Sequence, residues 1–377
     1  MRLTVVVPVF NEEKNIDECI TSILNQSKKD IDVIIIDDGS TDMTGAICDN
    51  YMAKDARIRV FHQANEGMIH ARKRGVEESR TEYVTFIDAD DFIDKDSFEL
   101  ADIYMEKGID LICFGYKSYK DGVISERDIY VKEGYYTRKE IISTIYPNMI
   151  WDEKYCREGV NVSLWNKVMK RELLLQCYET LNECYFDFCE DRAVVYQLMK
   201  IIKDMQVSNY GYYYHRNRAD SNFPKYMTDE RFFEKLFEYY KIMKTVFSGE
   251  PKFLKQLDLS YISLVSLRSK IYGKTLSLAK YLFPFDKIQQ NEMVAIYGAG
   301  EVGRCYVEQI ERLSYCKLKY WVDVRAENLN DRRIEPIQVL NANDYDHVII
   351  ANSSQKTINN IKNDLIGIGV RADKIVF

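Results

Sequence analysis

The sequence has no CxxC pair among its nine cysteines, no block of basic residues, no apolar run of membrane-spanning length, no internal repeat and no low-complexity tract. Cysteines scattered without paired spacing read as reduced, mostly buried thiols of an intracellular protein. With no basic block and a formal net charge of −7, the chain lacks an electrostatic footprint for nucleic acid. Lacking a spanning run, it is not expected to cross a bilayer. Met1-Arg2 leads straight into a short strand containing Pro8 rather than into a signal h-region. The expectation is a cytoplasmic protein, with peripheral contact at the inner face of the cell membrane and homodimerisation left open.

At 377 residues the chain exceeds one core of ordinary size, so two or three domains are expected. A hydrophobic content of 46% beside 29% charged residues suits a folded protein. The 28 tyrosines offer rigid surface with a polar tip, suited either to stacking on sugars or to filling a core.

The first third alternates strand and helix. Leu3–Val7, Ile31–Ile36, Ile58–Gln63, Tyr83–Ile87 and Asp110–Gly115 read as strands, and Glu12–Asn25, Thr41–Lys54, Glu66–Ser79 and Ser97–Lys107 as the helices between them. This alternation implies an α/β fold with a mostly parallel sheet flanked by helices. Open sheets of that kind bind ligands beyond the carboxyl ends of their strands. From Gly122 to Asn222 the pattern is mixed, with a helix at Asp191–Lys203 its clearest element. Amphipathic helices at Asp229–Phe247 and Pro251–Tyr281 follow, and a new β-α series starts at Met293. The expected domains are 1–222, a helical linker 223–290 and a small α/β domain 291–377, with a boundary near Phe285–Asn291.

Four loops that follow these strands carry unusual chemistry. In Pro8-Val9-Phe10-Asn11-Glu12, Phe10 can lie against a nucleobase or belong to the core. In Asp37-Asp38-Gly39-Ser40-Thr41-Asp42, Gly39 permits a tight turn and a hydroxyl can cap the next helix, but capping does not explain two consecutive acids. Asn65-Glu66-Gly67 leads into a helix with Arg72 near its start, placed to pair with a strand-end carboxylate or a diphosphate. Tyr83–Asp94 ends an apolar strand in Asp88, Ala89, Asp90 and Asp91. Acids gathered at a buried strand end are costly unless a cation joins them, although Asp also favours turns.

Taken in this order and spacing, VVVPVFNEEKNI, VIIIDDGSTD, NEGMIHARKRG and YVTFIDADDFID closely resemble the family 2 glycosyltransferases, inverting nucleotide-sugar transferases of GT-A fold. The resemblance covers roughly Met1–Asn222. It implies that Pro8, Phe10, Asn11, Glu12, Asp37, Asp38, Asn65, Gly67, Arg72, Asp88 and Ala89 surround the donor nucleotide, a UDP-sugar. Phe10 would flank the uracil ring and Asp38 would contact it. Asp88 and Asp90 match the DxD pair, which binds the ribose and the diphosphate-bound metal, with Asp90 as ligand. Mn²⁺ and Mg²⁺ both suit all-oxygen ligation, and the sequence does not choose between them. Lys73 stands where relatives often carry Asn.

Inverting transfer also needs a carboxylate that takes the proton of the acceptor hydroxyl. Glu190-Asp191, at the start of a helix, matches the ED motif of similar enzymes, with Asp191 as base; acids are also common in first helical turns for dipole reasons alone. Trp165, in Ser163–Lys167, can stack on the acceptor sugar or pack in the core. His215 can complete a metal shell or be structural, and Arg216 beside it can steady the diphosphate.

Val294–Gly303 is a strand entering GxGxxG with Gly298, Gly300 and Gly303, and Asp323 ends the next strand where a ribose-binding acid is expected. This region resembles the small Rossmann-like domain of bacterial polysaccharide-modifying enzymes, about half of a full dinucleotide fold. It leaves two alternatives, an NAD-dependent sugar-modifying oxidoreductase and a non-catalytic nucleotide-binding module. The main expectation is a metal-dependent hexosyl- or N-acetylhexosaminyl-transferase that acts on a glycan or lipid-linked glycan in bacterial surface polysaccharide synthesis. Lys270, Lys274 and Lys280 would suit a membrane surface carrying such an acceptor.

Overall fold

The computed structural model describes residues 2–120, 122–127, 129–181, 188–217, 226–272, 281, 283–352 and 354–377. The chain forms two compact units, Met1–Leu257 and Asp258–Phe377.

In the first unit, β1 (Leu3–Val9), α1 (Ile16–Leu24), β2 (Ile31–Asp37), α2 (Thr44–Lys54), β3 (Ile58–His62), α3 (Met68–Glu78) and β4 (Tyr83–Phe86) alternate in turn. The short β5 (Phe92–Ile93) and α4 (Ser97–Glu106) lead to β6 (Leu111–Lys120), β7 (Val123–Arg127), β8 (Gly134–Thr137), β9 (Lys167–Lys170) and β10 (Asp204–Arg216). One sheet runs β3-β2-β1-β4-β9-β6-β10-β5, with β7 on β6 and β8 on β10. Its first four strands are parallel, whereas β9 is antiparallel to both neighbours and β5 to β10. Every residue of β1 is buried, as a central strand covered on both faces requires, and the run is correspondingly apolar throughout. A Cβ on Gly75 of α3 would come within 2.2 Å of Val6 Cγ1, so only glycine lets α3 lie this close to β1.

The first helices begin later than their periodicity suggests: at Ile16 rather than Glu12, and at Thr44 rather than Thr41. Asn11 has φ +52°, which stops the helix from reaching back, and the intervening residues are drawn into bonds between loops. The helix expected over Pro251–Tyr281 is described from Pro251 to Tyr272. Lys274, Lys280 and the side chain of Lys270 lie outside the described residues. No helix among the described residues is long and apolar enough to cross a membrane.

The second unit holds a parallel five-stranded sheet built from β11 (Met293–Tyr297), β12 (Lys317–Val322), β13 (Ile334–Glu335), β14 (His347–Ile350) and β15 (Ile375–Val376), in the order β13-β12-β11-β14-β15. Strand order reverses beside β11, and two strands lie beyond it, so the sheet extends past the half fold expected from sequence.

Candidate active site

The site opens where β1 and β4 part. Ile87 N donates to Val6 O at 3.0 Å, the last bond between them. The next residue of β1 facing that side is Pro8, which has no N–H to continue the ladder. Val9 O still accepts from Asp38 N at 2.9 Å, so the loops after β1 and β2 stay together while residues 88–91 turn away.

Phe10 projects at the end of β1, 45% exposed, and is not part of the core. Asn11 accepts from Thr41 N at 2.8 Å and donates its own N to Ser40 Oγ at 3.0 Å, and Glu12 N donates to Thr44 Oγ1 at 2.9 Å. Asp37 is buried and accepts from Ser40 N at 3.0 Å and His62 Nδ1 at 2.7 Å. That bond, and a second to Asp49, raise the His62 pKa. Asp38, also buried, accepts from Gln63 Nε2 at 2.8 Å, Glu66 N at 3.0 Å and Gly67 N at 2.8 Å, which fixes the loop carrying Asn65 and Gly67. Gly39 has φ +80°, and a Cβ there would lie 2.8 Å from Asn65 N, so the two loops meet over a residue without a side chain.

On the other side of the opening, Asp88 and Asp90 are half-buried, while Ala89 and Asp91 are buried. Arg72, buried on α3 and lying over the Phe86 ring, donates from Nη2 to Asp88 Oδ1 at 2.7 Å and from Nη1 to Glu190 Oε1. A single guanidinium thus ties the acid loop to the helix Glu190–Ile201. Burial raises the Glu190 pKa, Arg72 opposes the rise and Asp191 adds to it. Tyr213 accepts from Asp88 N at 3.1 Å and donates to Asp91 Oδ2 at 2.7 Å. Arg216 donates its N to Asp91 Oδ1 at 2.7 Å, Nε to Asp90 O at 2.8 Å and Nη2 to Glu18 Oε2 at 2.7 Å. Burial, with Asp90 and Asp88 adding to it, holds the Asp91 carboxyl well above the usual carboxylate range. Asp91 and Arg216 therefore shape the acid loop from within.

Asp191 sits in the first turn of the Glu190–Ile201 helix, its carboxylate partly exposed and accepting from Arg192 N at 2.8 Å. Arg192 pairs with Glu158, a carboxylate whose pKa burial raises. Glu158 and Tyr213 escaped the sequence reading because neither belongs to a motif; the run Tyr212–His215 was the one available signal, since alternate residues of a strand share a face.

Trp165 is 8% exposed, stacked on Tyr213 at 4.4 Å and on His215 at 5.3 Å between ring centroids, so it packs within an aromatic cluster. Its loop is tied down by Lys167 Nζ, which donates to Ser163 O at 2.6 Å and Asn166 Oδ1 at 2.9 Å. Burial lowers the His215 pKa. Among the described residues no three His, Cys, Asp or Glu side chains converge to hold a metal by themselves. Asp88, paired with Arg72 through Oδ1, and Asp90 are the half-buried carboxylates of the acid loop that could hold a hard cation, an oxygen-ligand site of the kind Mg²⁺ takes.

In the second unit, Gly298 has φ +113° and donates to Val322 O at 2.8 Å, while a Cβ on Gly303 would fall 1.8 Å from Gly298 O. Gly300 faces open space and precedes the helix Glu301–Leu313. The Asp323 carboxylate is buried and accepts from Ala299 N and Arg325 N, both at 2.8 Å, so it braces the glycine turn itself.

Residues 4–163 match the family model for glycosyl transferase family 2. The uncharacterized glycosyltransferase EpsJ of Bacillus subtilis is 30% identical over 224 residues, which cover 58% of this chain and 62% of EpsJ. The glycosyltransferase GlyG of Streptococcus pneumoniae is also 30% identical over 224 residues, covering 58% of this chain and 72% of GlyG. The chain thus spans under two thirds of EpsJ. Among solved structures, S. aureus TarS 1–349 in complex with UDP-GlcNAc superposes with a TM-score of 0.55 at 20% identity, over 83% of this chain and 84% of that one. That likeness shows the shared fold, with the mixed α/β sheet described above. On the family model and the extent of GlyG that it covers, the chain belongs to glycosyl transferase family 2.

Proposed function

We propose that the chain is an inverting glycosyltransferase that moves a sugar from a UDP-sugar to a hydroxyl of a glycan or lipid-linked glycan. The sugar would be a hexose or N-acetylhexosamine and the product a bacterial surface polysaccharide. The observation that carries this reading is the Arg72 bridge, which gathers Asp88 on the acid loop and Glu190, next to Asp191, around one opening. The TarS complex with UDP-GlcNAc supports a uridine donor for this fold.

In this reading the exposed Phe10 ring flanks the base. A carboxylate has about four acceptor positions, and the three bonds made by Asp38 leave it able to take one more, from a base N–H. Asp90, with Asp88, would hold a Mn²⁺ or Mg²⁺, which would supply positive charge against the negative charge of the leaving diphosphate. Asp191 takes the proton from the acceptor hydroxyl as its oxygen attacks the anomeric carbon. The bond from that carbon to the diphosphate oxygen breaks, and the nucleoside diphosphate leaves with both electrons.

The test is a donor-hydrolysis screen with UDP-, GDP- and TDP-sugars, in Mn²⁺ or in EDTA. Release of UDP in Mn²⁺ is expected. No release from any donor would overturn the proposal, and equal release in EDTA would remove the metal.

A further inference from the structure

Each of the two acids that open the Glu190–Ile201 helix meets a guanidinium of its own. Arg72 is committed to Glu190 and Asp88. Asp191 meets Arg192, whose Nη1 lies 3.9 Å from Asp191 Oδ1. Neighbours in a helical sequence do not ordinarily face each other. These two meet because the Arg192 side chain runs back toward the start of the helix, where its Nη1 also donates to Cys189 Sγ at 3.8 Å. The first turn of a helix carries partial positive charge, so a half-buried cation there is costly unless carboxylates offset it. Asp191 supplies one, and Glu158, which accepts from Arg192 Nε, supplies the other. Glu158 belongs to the segment between the Asp152–Arg157 bridge and the loop of Trp165, so the guanidinium joins that segment to the helix carrying Asp191. The buried rings of Tyr196 and Tyr239 lie close enough to feel Glu158, Arg192 and Asp191 together, and such surroundings strengthen the pairing.

The start of this helix is strained. Cys189 caps it in the left-handed region, at φ +69° and ψ 16°, and makes no side-chain cap bond. A residue other than glycine persists there only where its surroundings over-determine it. The contact from Arg192 to Cys189 is one such restraint. The Asp191 carboxylate is oriented as well. Its Oδ1 accepts from Arg192 N at 2.8 Å and is the oxygen that faces Nη1. Among the described residues no donor bonds to Oδ2, which is left for an acceptor hydroxyl.

We propose that Arg192 is a positioning residue for the transfer: braced by Glu158, it holds the Asp191 carboxylate with Oδ2 turned to the acceptor hydroxyl. Asp191 takes the proton, while Arg192 keeps its charge and transfers nothing. The assignment rests on the transferase reading above. It is tested on the full chain by release of UDP in Mn²⁺ with water as acceptor. The donor is whichever of UDP-GlcNAc, UDP-glucose and UDP-galactose the unaltered chain hydrolyses fastest. Arg192→Gln should lower kcat about ten- to hundredfold, the scale of a reacting group displaced by about an ångström. The donor KM should stay within about twofold, because the interaction acts only on the chemical step. In the Asp191→Asn background the same substitution should cost less than about twofold more, since no base is left to position. An unchanged kcat, a loss confined to KM, or an equal loss in both backgrounds overturns the proposal, the last because it marks a purely structural part. Arg192→Gln alone leaves Glu158 unpaired. Should that variant misfold by circular dichroism, the neutral pair Glu158→Gln with Arg192→Gln takes its place in both backgrounds, with the same outcomes. The unaltered chain and Asp191→Asn separate the two readings. No release of UDP from any donor sinks the transferase reading and this assignment with it. Release that falls with Asp191→Asn but not with Arg192→Gln sinks the positioning role alone.

Discussion

Arg72 Nη2 lies 2.7 Å from Asp88 Oδ1, and the same guanidinium donates to Glu190, 118 residues further along the chain. Arg72 and Glu190 are buried and Asp88 is half-buried, so the cation is what allows two carboxylates to share the place. Removing one partner of a buried ion pair costs about 3–5 kcal/mol, because the others remain charged and uncompensated. Arg72→Ala should therefore lower stability by about that amount in urea unfolding, and Glu190→Gln, whose amide can still accept from Arg72, by less. An unchanged denaturation midpoint in Arg72→Ala would refute the bridge.

Asp191 should matter to chemistry and not to donor binding. Asp191→Asn keeps the size of the side chain but cannot take a proton, and general-base catalysis contributes about 10²- to 10⁴-fold. Transfer should fall by that order while UDP binding by calorimetry is retained. Full transfer in the variant would remove Asp191 as the base and leave Glu158, half-buried and paired with Arg192, to be considered.

Asp90→Ala should abolish the part of UDP binding that depends on Mn²⁺. EDTA added to the unaltered chain should reproduce the loss. Equal UDP affinity in the variant with Mn²⁺ present would contradict a metal role for this carboxylate.

The chain has four histidines, few enough to follow singly by NMR. His62, bonded to Asp37 and Asp49, should titrate above 6.5, and His215, half-buried among rings, below it. The signs oppose. The raised His62 contributes stability that is present below 6.5 and lost as pH rises through its folded value, whereas the depressed His215 contributes stability present above 6.5 and lost as pH falls through its own. The reverse order of titration would exclude both environments.

Gly75→Ala places a methyl group against Val6 on β1. Overpacking of this kind costs about 1–3 kcal/mol. A stability loss in that range, read from chemical denaturation, is expected; no loss would mean that α3 can move away from the sheet.

Much of the architecture is legible in the sequence because its strands are short, β-branched apolar runs covered on both faces, a pattern that periodicity detects. The places of Asp88 and Asp90 just beyond β4 and of Asp191 in a first helical turn are legible too, because the strand and the helix that carry them are. The helix starts at Ile16 and Thr44 were misplaced because Asn11, Ser40 and Thr41 bond to one another across loops, and no local propensity records such bonds. Trp165 could not be assigned from sequence between sugar stacking and packing, because its neighbours Tyr213 and His215 are some fifty residues away.

The sequence by itself determined the parallel strands β2, β3 and β4, their carboxyl ends to within a residue, and which residues there carry charge, because these depend on side-chain type and spacing along one segment; β9 and β10 it left unread. Only the tertiary structure decided what each charge faces. It turned Asp323 onto its own glycine turn and Asp38 onto the loop at Gly67, and it set Arg72 between Asp88 and Glu190. A carboxylate's partner is fixed by packing between distant segments, and burial makes that partner obligatory, so the division of labour among these acids exists only once the chain has folded.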